Sequence, residues 1–207
     1  MLERISRREE FDLFIAWIAI SLAFAIIFLR EIGRADPVIA LTFLALSLFT
    51  VGIGFILHEM AHKFTAMKYG FWAEFRKDNI MLVVAVALAA LVGVVFAAPG
   101  ATVIYDTTGR GISREQNGKI SAAGPIVNLL LCIPFAGLLI YSSGGQSLNG
   151  TIIPIGMIGL QVNAMIAAFN MLPVSVLDGK KVWAWNKGIF LVLIIAAFGA
   201  LWASFIL

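Results

Sequence analysis

The stretch VGIGFILHEMAH, Val51–His62, decides how the rest of the chain is read. Its first seven residues continue an apolar run that begins at Val38, and its last five set two histidines and a glutamate at the end of that run. A helix needs about 20 mostly apolar residues to cross the hydrocarbon core of a bilayer, and Val38–Leu57 supplies that length. Ionisable groups are expensive in such a setting and are retained where they serve a function.

Outward from this stretch the apolar pattern repeats. Runs at Phe11–Leu29, Val38–Leu57, Ile80–Ala98, Ile120–Tyr141, Ile152–Leu172 and Gly188–Leu207 come close to a spanning length. Of the 207 residues 61% are hydrophobic and 13% charged, against roughly half and a quarter in soluble domains, and mean hydropathy is +0.97. The expected fold is an all-α polytopic membrane protein with five or six transmembrane helices. No connecting segment is long enough for a soluble domain, so residues 1–207 are expected to form a single membrane domain. Its core motifs fall at about 50–185, with additional helices at 11–29 and 188–207. The first run is longer than the apolar core of a signal peptide and no small-residue cleavage site follows it, so it reads as a retained helix. No basic, aromatic-studded face stands apart from the apolar runs, which excludes nucleic acid as a partner. Cys132 is the one cysteine, so no intramolecular disulfide forms.

Both histidines of the chain belong to His58-Glu59-Met60-Ala61-His62. Residues four apart share a helix face, so His58 and His62 can bind one metal while Glu59 projects beside it. Two imidazoles on Zn²⁺, with a glutamate as general base for water, is the chemistry this spacing serves. Catalytic zinc usually takes three protein ligands. With no histidine left, the third is expected to be a carboxylate: Glu74, Asp78, Asp106, Glu115 or Asp178. Asp178 stands out by its surroundings, because Pro173 breaks a preceding helix and Gly179 allows a tight turn. An aspartate in such a bend reaches a metal on a neighbouring helix. The plainer alternative is a membrane-edge carboxylate partnered by Lys180 or Lys181.

Three motifs in order resemble the site-2 protease family of intramembrane zinc metalloproteases, in its prokaryotic form without PDZ or CBS domains. They are H-E-x-x-H at His58–His62, A-G-P-x-x-N at Ala123–Asn128, and N-x-x-P-x-x-x-x-D-G at Asn170–Gly179. Together they cover roughly the middle 120 residues. The resemblance implies His58, His62 and Asp178 as ligands of one catalytic Zn²⁺ and Glu59 as catalytic base. It also implies that Asn170 and Asn128 sit near the substrate. One departure is Lys180, where the family often has a second glycine. The implied activity is hydrolysis of peptide bonds within or near transmembrane segments of membrane-protein substrates, as in regulated intramembrane proteolysis.

Metal ligands must meet at one membrane depth, and this constrains the run Ile80–Ala98. If it crossed the bilayer, three crossings would separate the histidines from Asp178, and the two would lie on opposite faces. If it dips in and returns, two crossings remain and the ligands meet. Irregular backbone at such depth is tolerated where it lines a wet cavity or is buried in protein. The charges agree. With six crossings the two faces hold seven and eight Lys/Arg, whereas with five, 13 of the 15 fall on one face and only Arg30 and Arg34 on the other. The positive-inside rule then sets the N-terminus and the histidine end of the second span in the cytoplasm of a multi-pass cell-membrane protein.

The short stretch Ala101–Tyr105 reads as a strand near the site, suited to pairing with an unwound substrate. Two alternatives stand beside the protease reading. One is a catalytically silent membrane scaffold of the same fold, against which the retained Glu59 argues. The other is a membrane zinc protease using Glu115 as third ligand. Partners are expected to be a transmembrane protein substrate and the lipid bilayer.

Overall fold

The computed structural model describes residues 5–33, 36–95, 100–106, 109, 111–142 and 149–207, and for 149–152 the backbone only. Helix α1 spans Arg7–Ile32 and α2 Pro37–Lys68, joined by a short turn. Each start has a local cause. The Ser6 side chain accepts from Glu9 N at 3.2 Å, and Asp36 accepts from Val38 N at 2.7 Å with Pro37 at the first helical position. After α2 come β1 (Trp72–Lys77), α3 (Asn79–Leu91) and β2 (Gly100–Tyr105). Then follow α4 (Arg114–Ser142), α5 (Asn149–Asn170), α6 (Asp178–Trp185) and α7 (Lys187–Ala203). A reciprocal box starts α4: Gln116 N donates to Ser113 Oγ at 3.2 Å and Ser113 N to Gln116 Oε1 at 2.9 Å.

The chain is an all-α membrane protein with one small sheet. Among the described residues four helices are long and apolar enough to cross a bilayer: α1, α2, α4 and the Ile153–Asn170 part of α5. The expected span Gly188–Leu207 forms only the 17-residue α7, about 25 Å long at 1.5 Å per residue, which falls short of a ~30 Å core. Residues 142–150 read in the sequence as a Gly/Ser-rich turn, and 143–148 of them lie outside the described residues.

The run Ile80–Ala98 makes no net crossing. Strands β1 and β2 are antiparallel, with Lys77 opposite Gly100 and Trp72 opposite Tyr105, so the intervening segment leaves and returns at one place. Helix α3, 13 residues and so about 20 Å long, cannot span. It ends because Gly93 takes a left-handed φ of 79°. In the sequence Ala98-Pro99-Gly100 reads as a sharp end to this run, and residues 96–99 lie outside the described residues. The excursion is deep. Near the start of α1, Glu9 binds β1 (below), whereas Arg30, near its end, donates to Ala90 O at the C-terminus of α3. Those two residues of α1 are about 31 Å apart along its axis. A cation there also complements the helix dipole.

Lys63, grouped by its sequence position with the basic residues that set topology, is fully buried. Its Nζ binds Glu9 Oε2 at 2.5 Å and Ala73 O at 2.8 Å, while Phe75 N donates to Glu9 Oε1 at 3.0 Å. Three elements are thus joined by one ion pair: α1, α2 and β1. Arg76 likewise turns to Glu74 and to Asp12, the latter at 3.7 Å. Setting Lys63 aside leaves the charge asymmetry at 12 against two. Stranding one member of a buried pair is costly. Lys63→Met is therefore expected to destabilise the protein by about 3–5 kcal/mol, read as a lowered unfolding temperature in detergent. The double variant Glu9→Gln/Lys63→Met is expected to recover most of the loss.

Candidate metal centre

Helix α2 puts His58 and His62 on one face, with their Nε2 atoms 3.0 Å apart. Asp178 opens α6, after a bend in which Pro173 follows the end of α5 and Ser175 takes φ 48°. Its Oδ2 lies 3.4 Å from His58 Nε2 and 3.1 Å from His62 Nε2. Ligands 2.0–2.2 Å from a tetrahedral zinc stand about 3.3 Å from one another. The triangle has the right edges. All three residues are buried, and no other group of three or more potential ligand residues converges among the described residues.

The second ring nitrogens are already engaged. His58 Nδ1 donates to Asn128 Oδ1 at 2.6 Å, and His62 Nδ1 to Ile120 O at 2.8 Å. Each bond selects the tautomer that leaves the Nε2 lone pair aimed at the centre. Both partners sit on α4. Pro125 inside that helix has no N–H for the carbonyl of Ser121, and the neighbouring carbonyl, that of Ile120, serves His62.

Gly124 explains itself by what a side chain would meet. A Cβ there would lie 2.5 Å from His62 Nε2 and 2.6 Å from His58 Nε2. Those distances are close to metal–ligand lengths, so the missing Cβ leaves the space in which a metal would sit. Gly179 is constrained in the same way, because its Cβ would lie 2.1 Å from Met171 O at the end of α5. Lys180, the departure noted above, is exposed and takes no part. Asp178 faces both histidines through Oδ2. Its Oδ1 lies 3.8 Å from Lys181 Nζ, so the lysine partner of the plainer reading is present as well.

Glu59 is nearly buried beside the triangle, and its Oε2 accepts from Thr102 Oγ1 of β2 at 2.8 Å. Two cavities meet here. A polar one of about 60 Å³, room for about two waters, is lined by His58, His62, Asp178, Glu59, Thr102 and Lys181. An apolar one of about 310 Å³ runs along Phe24, Phe55, Met165 and Phe198. His58, Glu59, Gly100 and Asn170 line both.

The two asparagines differ. Asn170 is half-buried on the cavity walls, its Nδ2 bonded to Ile166 O at 3.0 Å. Asn128, expected near substrate, is instead fully buried. Beyond holding His58, its Nδ2 donates to Gly54 O at 3.0 Å and Asn163 Oδ1 at 2.9 Å. Its side-chain amide is thus engaged inside the bundle, where it is placed to orient the His58 ring. Glu115 is exposed and paired with Lys119 at 2.5 Å, away from the histidines. Thr102 was not singled out by the sequence; the one signal was its inward place in the alternation of β2.

Over 187 residues the chain is 37% identical to a Methanocaldococcus jannaschii protein named "Putative zinc metalloprotease", covering 90% of this chain and 89% of that one. No family model matches the chain, and no solved structure matches it.

Metal content measured after dialysis separates the roles. Asp178→Ala and Gly124→Ala are each expected to lower it at least about tenfold, the second by occupying the metal's space. Glu115→Ala is expected to leave it unchanged.

Proposed function

The chain belongs to the same family as the Methanocaldococcus jannaschii protein named "Putative zinc metalloprotease", and from that premise we propose that it is an intramembrane zinc endopeptidase of the site-2 protease type. Its substrates are transmembrane segments of other membrane proteins. The observation that carries this is a zinc-sized His58–His62–Asp178 triangle, with Glu59 beside it, on the wall of a 310 Å³ apolar cavity inside a bundle of membrane helices. A protease acting on soluble peptides has no need of such surroundings.

His58, His62 and Asp178 hold the ion, their orientation set by Asn128, Ile120 O and the bend before α6. Bound there, Zn²⁺ would supply a Lewis acid for a carbonyl and lower the pKa of water towards about 7. Glu59 takes the proton from the attacking water and delivers it to the leaving amine. Asn170, on both cavity walls, is suited to contact the peptide near the scissile bond. The apolar cavity accepts the substrate's side chains, and the polar one admits water.

A transmembrane helix has its carbonyls hydrogen-bonded and has to unwind before attack. Among the described residues strand β2 has β1 as its one sheet neighbour, so its other edge is suited to offer the unwound stretch new backbone partners. The whole acts as one membrane domain, with its N-terminus and the zinc-proximal helix ends towards the cytoplasm, where 13 of 15 Lys/Arg would lie.

The direct test is cleavage of single-span substrates in liposomes. Glu59→Gln is expected to keep its zinc and lose about 10²–10⁴-fold in rate; equal activity in both would defeat the protease reading. Strand addition is tested separately by Ile104→Pro: Ala73 and Phe75 turn their backbone groups away from β2, so Thr102 and Ile104 present theirs at its open edge. Cleavage is expected to fall about tenfold or more with metal retained, and unchanged cleavage would remove β2 from the substrate path.

A further inference from the structure

Glu59 does not meet β2 by accident of packing, and we infer that Thr102 is a positioning residue for the general base. This rests on the protease reading above. Along β2 the exposure alternates: Ala101, Val103 and Tyr105 face out, whereas Thr102 and Ile104 are half-buried and face in. The Thr102 hydroxyl donates to Glu59 Oε2 at 2.8 Å and also lies 3.4 Å from the Glu59 main-chain carbonyl. A glutamate side chain has three rotatable bonds, and a carboxylate left to choose among rotamers beside an apolar cavity is a poorly aimed base. One donor on Oε2, fixed to a strand, selects an orientation and leaves Oε1 to exchange the proton.

The donor itself cannot wander. Thr102 stands opposite Phe75 in the ladder. The Phe75 N–H is bound by the buried Glu9, and its ring meets Phe55 of α2 edge-on at 5.5 Å. Lys63, one helical turn beyond Glu59, binds the carbonyl of Ala73 two residues along β1. The hairpin is therefore tied to α2 at two points, Lys63 to Ala73 and Thr102 to Glu59. The second tie runs through the residue that does the proton transfer. Because β2 is also the edge suited to receive substrate, the strand that sets the peptide's height is the strand that aims the base.

Thr102→Val removes the hydroxyl at constant shape, and Thr102→Ser restores it. In the liposome assay, Thr102→Val is expected to retain wild-type metal content and unfolding temperature and a KM within about twofold, while kcat falls about 10–100-fold. Thr102→Ser is expected to recover most of kcat. Binding of an uncleaved single-span peptide to Glu59→Gln is expected to be indifferent to a further Thr102→Val change. An unchanged kcat in Thr102→Val overturns the assignment, as does a KM rise at constant kcat, weaker peptide binding in the double variant, or loss of metal. The first shows no role, the next two direct contact with substrate, and the last a structural role. Failure of the protease reading is seen elsewhere, in a metal-loaded wild type that cleaves nothing.

Discussion

Donor atoms from residues 58, 62 and 178 have to stand within 3.4 Å of one another inside an apolar bundle. Two of them come from one helix and cost nothing beyond a spacing of four. The third arrives from the far end of another span, and most of the fold answers to that. Helix α5 must end where α2 carries its histidines, then reverse tightly enough for the first residue of α6 to point back. Gly179 makes the reversal possible by letting its backbone press on Met171 O. Between the two ligand-bearing segments runs α4, so close that only a glycine fits at position 124. Its neighbours Ile120 and Asn128, four residues to either side on the same face, hold the two imidazoles.

The same requirement settles what lies between α2 and α4. Since the ligands share a depth, the 78–99 excursion must come back to where it began, and the ladder from Lys77 to Gly100 brings it back. That much follows from the sequence by parity alone. The means do not. Strand β1 carries three consecutive buried residues, Ala73, Glu74 and Phe75, with no alternation of apolar and polar side chains to announce a strand. Lys63 looks like any basic residue beyond a membrane span, and its partner lies 54 positions earlier. The end of α3 was marked by Gly93, yet a glycine inside an apolar run is easily taken for packing.

The site divides along a similar line. His58, Glu59 and His62 are legible because their geometry is that of one helix, fixed by spacing. Asp178 is legible as one of five carboxylates, and its bend distinguishes it through local backbone chemistry. Residues that serve the ligands depend on contacts between helices, which spacing does not encode. Asn128 was drawn towards the substrate by its motif, whereas the bundle buries it against His58, Gly54 and Asn163. Thr102 is an ordinary strand residue until β2 is laid beside α2.

The character of those supporting groups carries a chemical consequence. Carboxylates often take the second nitrogen of a metal-bound histidine and raise its basicity. Here both partners are neutral, an amide and a backbone carbonyl, so they orient the imidazoles without adding negative charge. A divalent ion held by His58, His62 and Asp178 would keep a net charge of about one, and Lys181 near Asp178 Oδ1 would further offset the carboxylate. In a cavity with apolar walls that surplus is little screened. It would favour the negative charge that develops on a carbonyl oxygen under attack, and a second carboxylate in the shell would weaken that effect. Glu59, the negative group beside these residues, is the one proposed to move a proton, and the hydrogen bond that restrains it comes from a neutral hydroxyl.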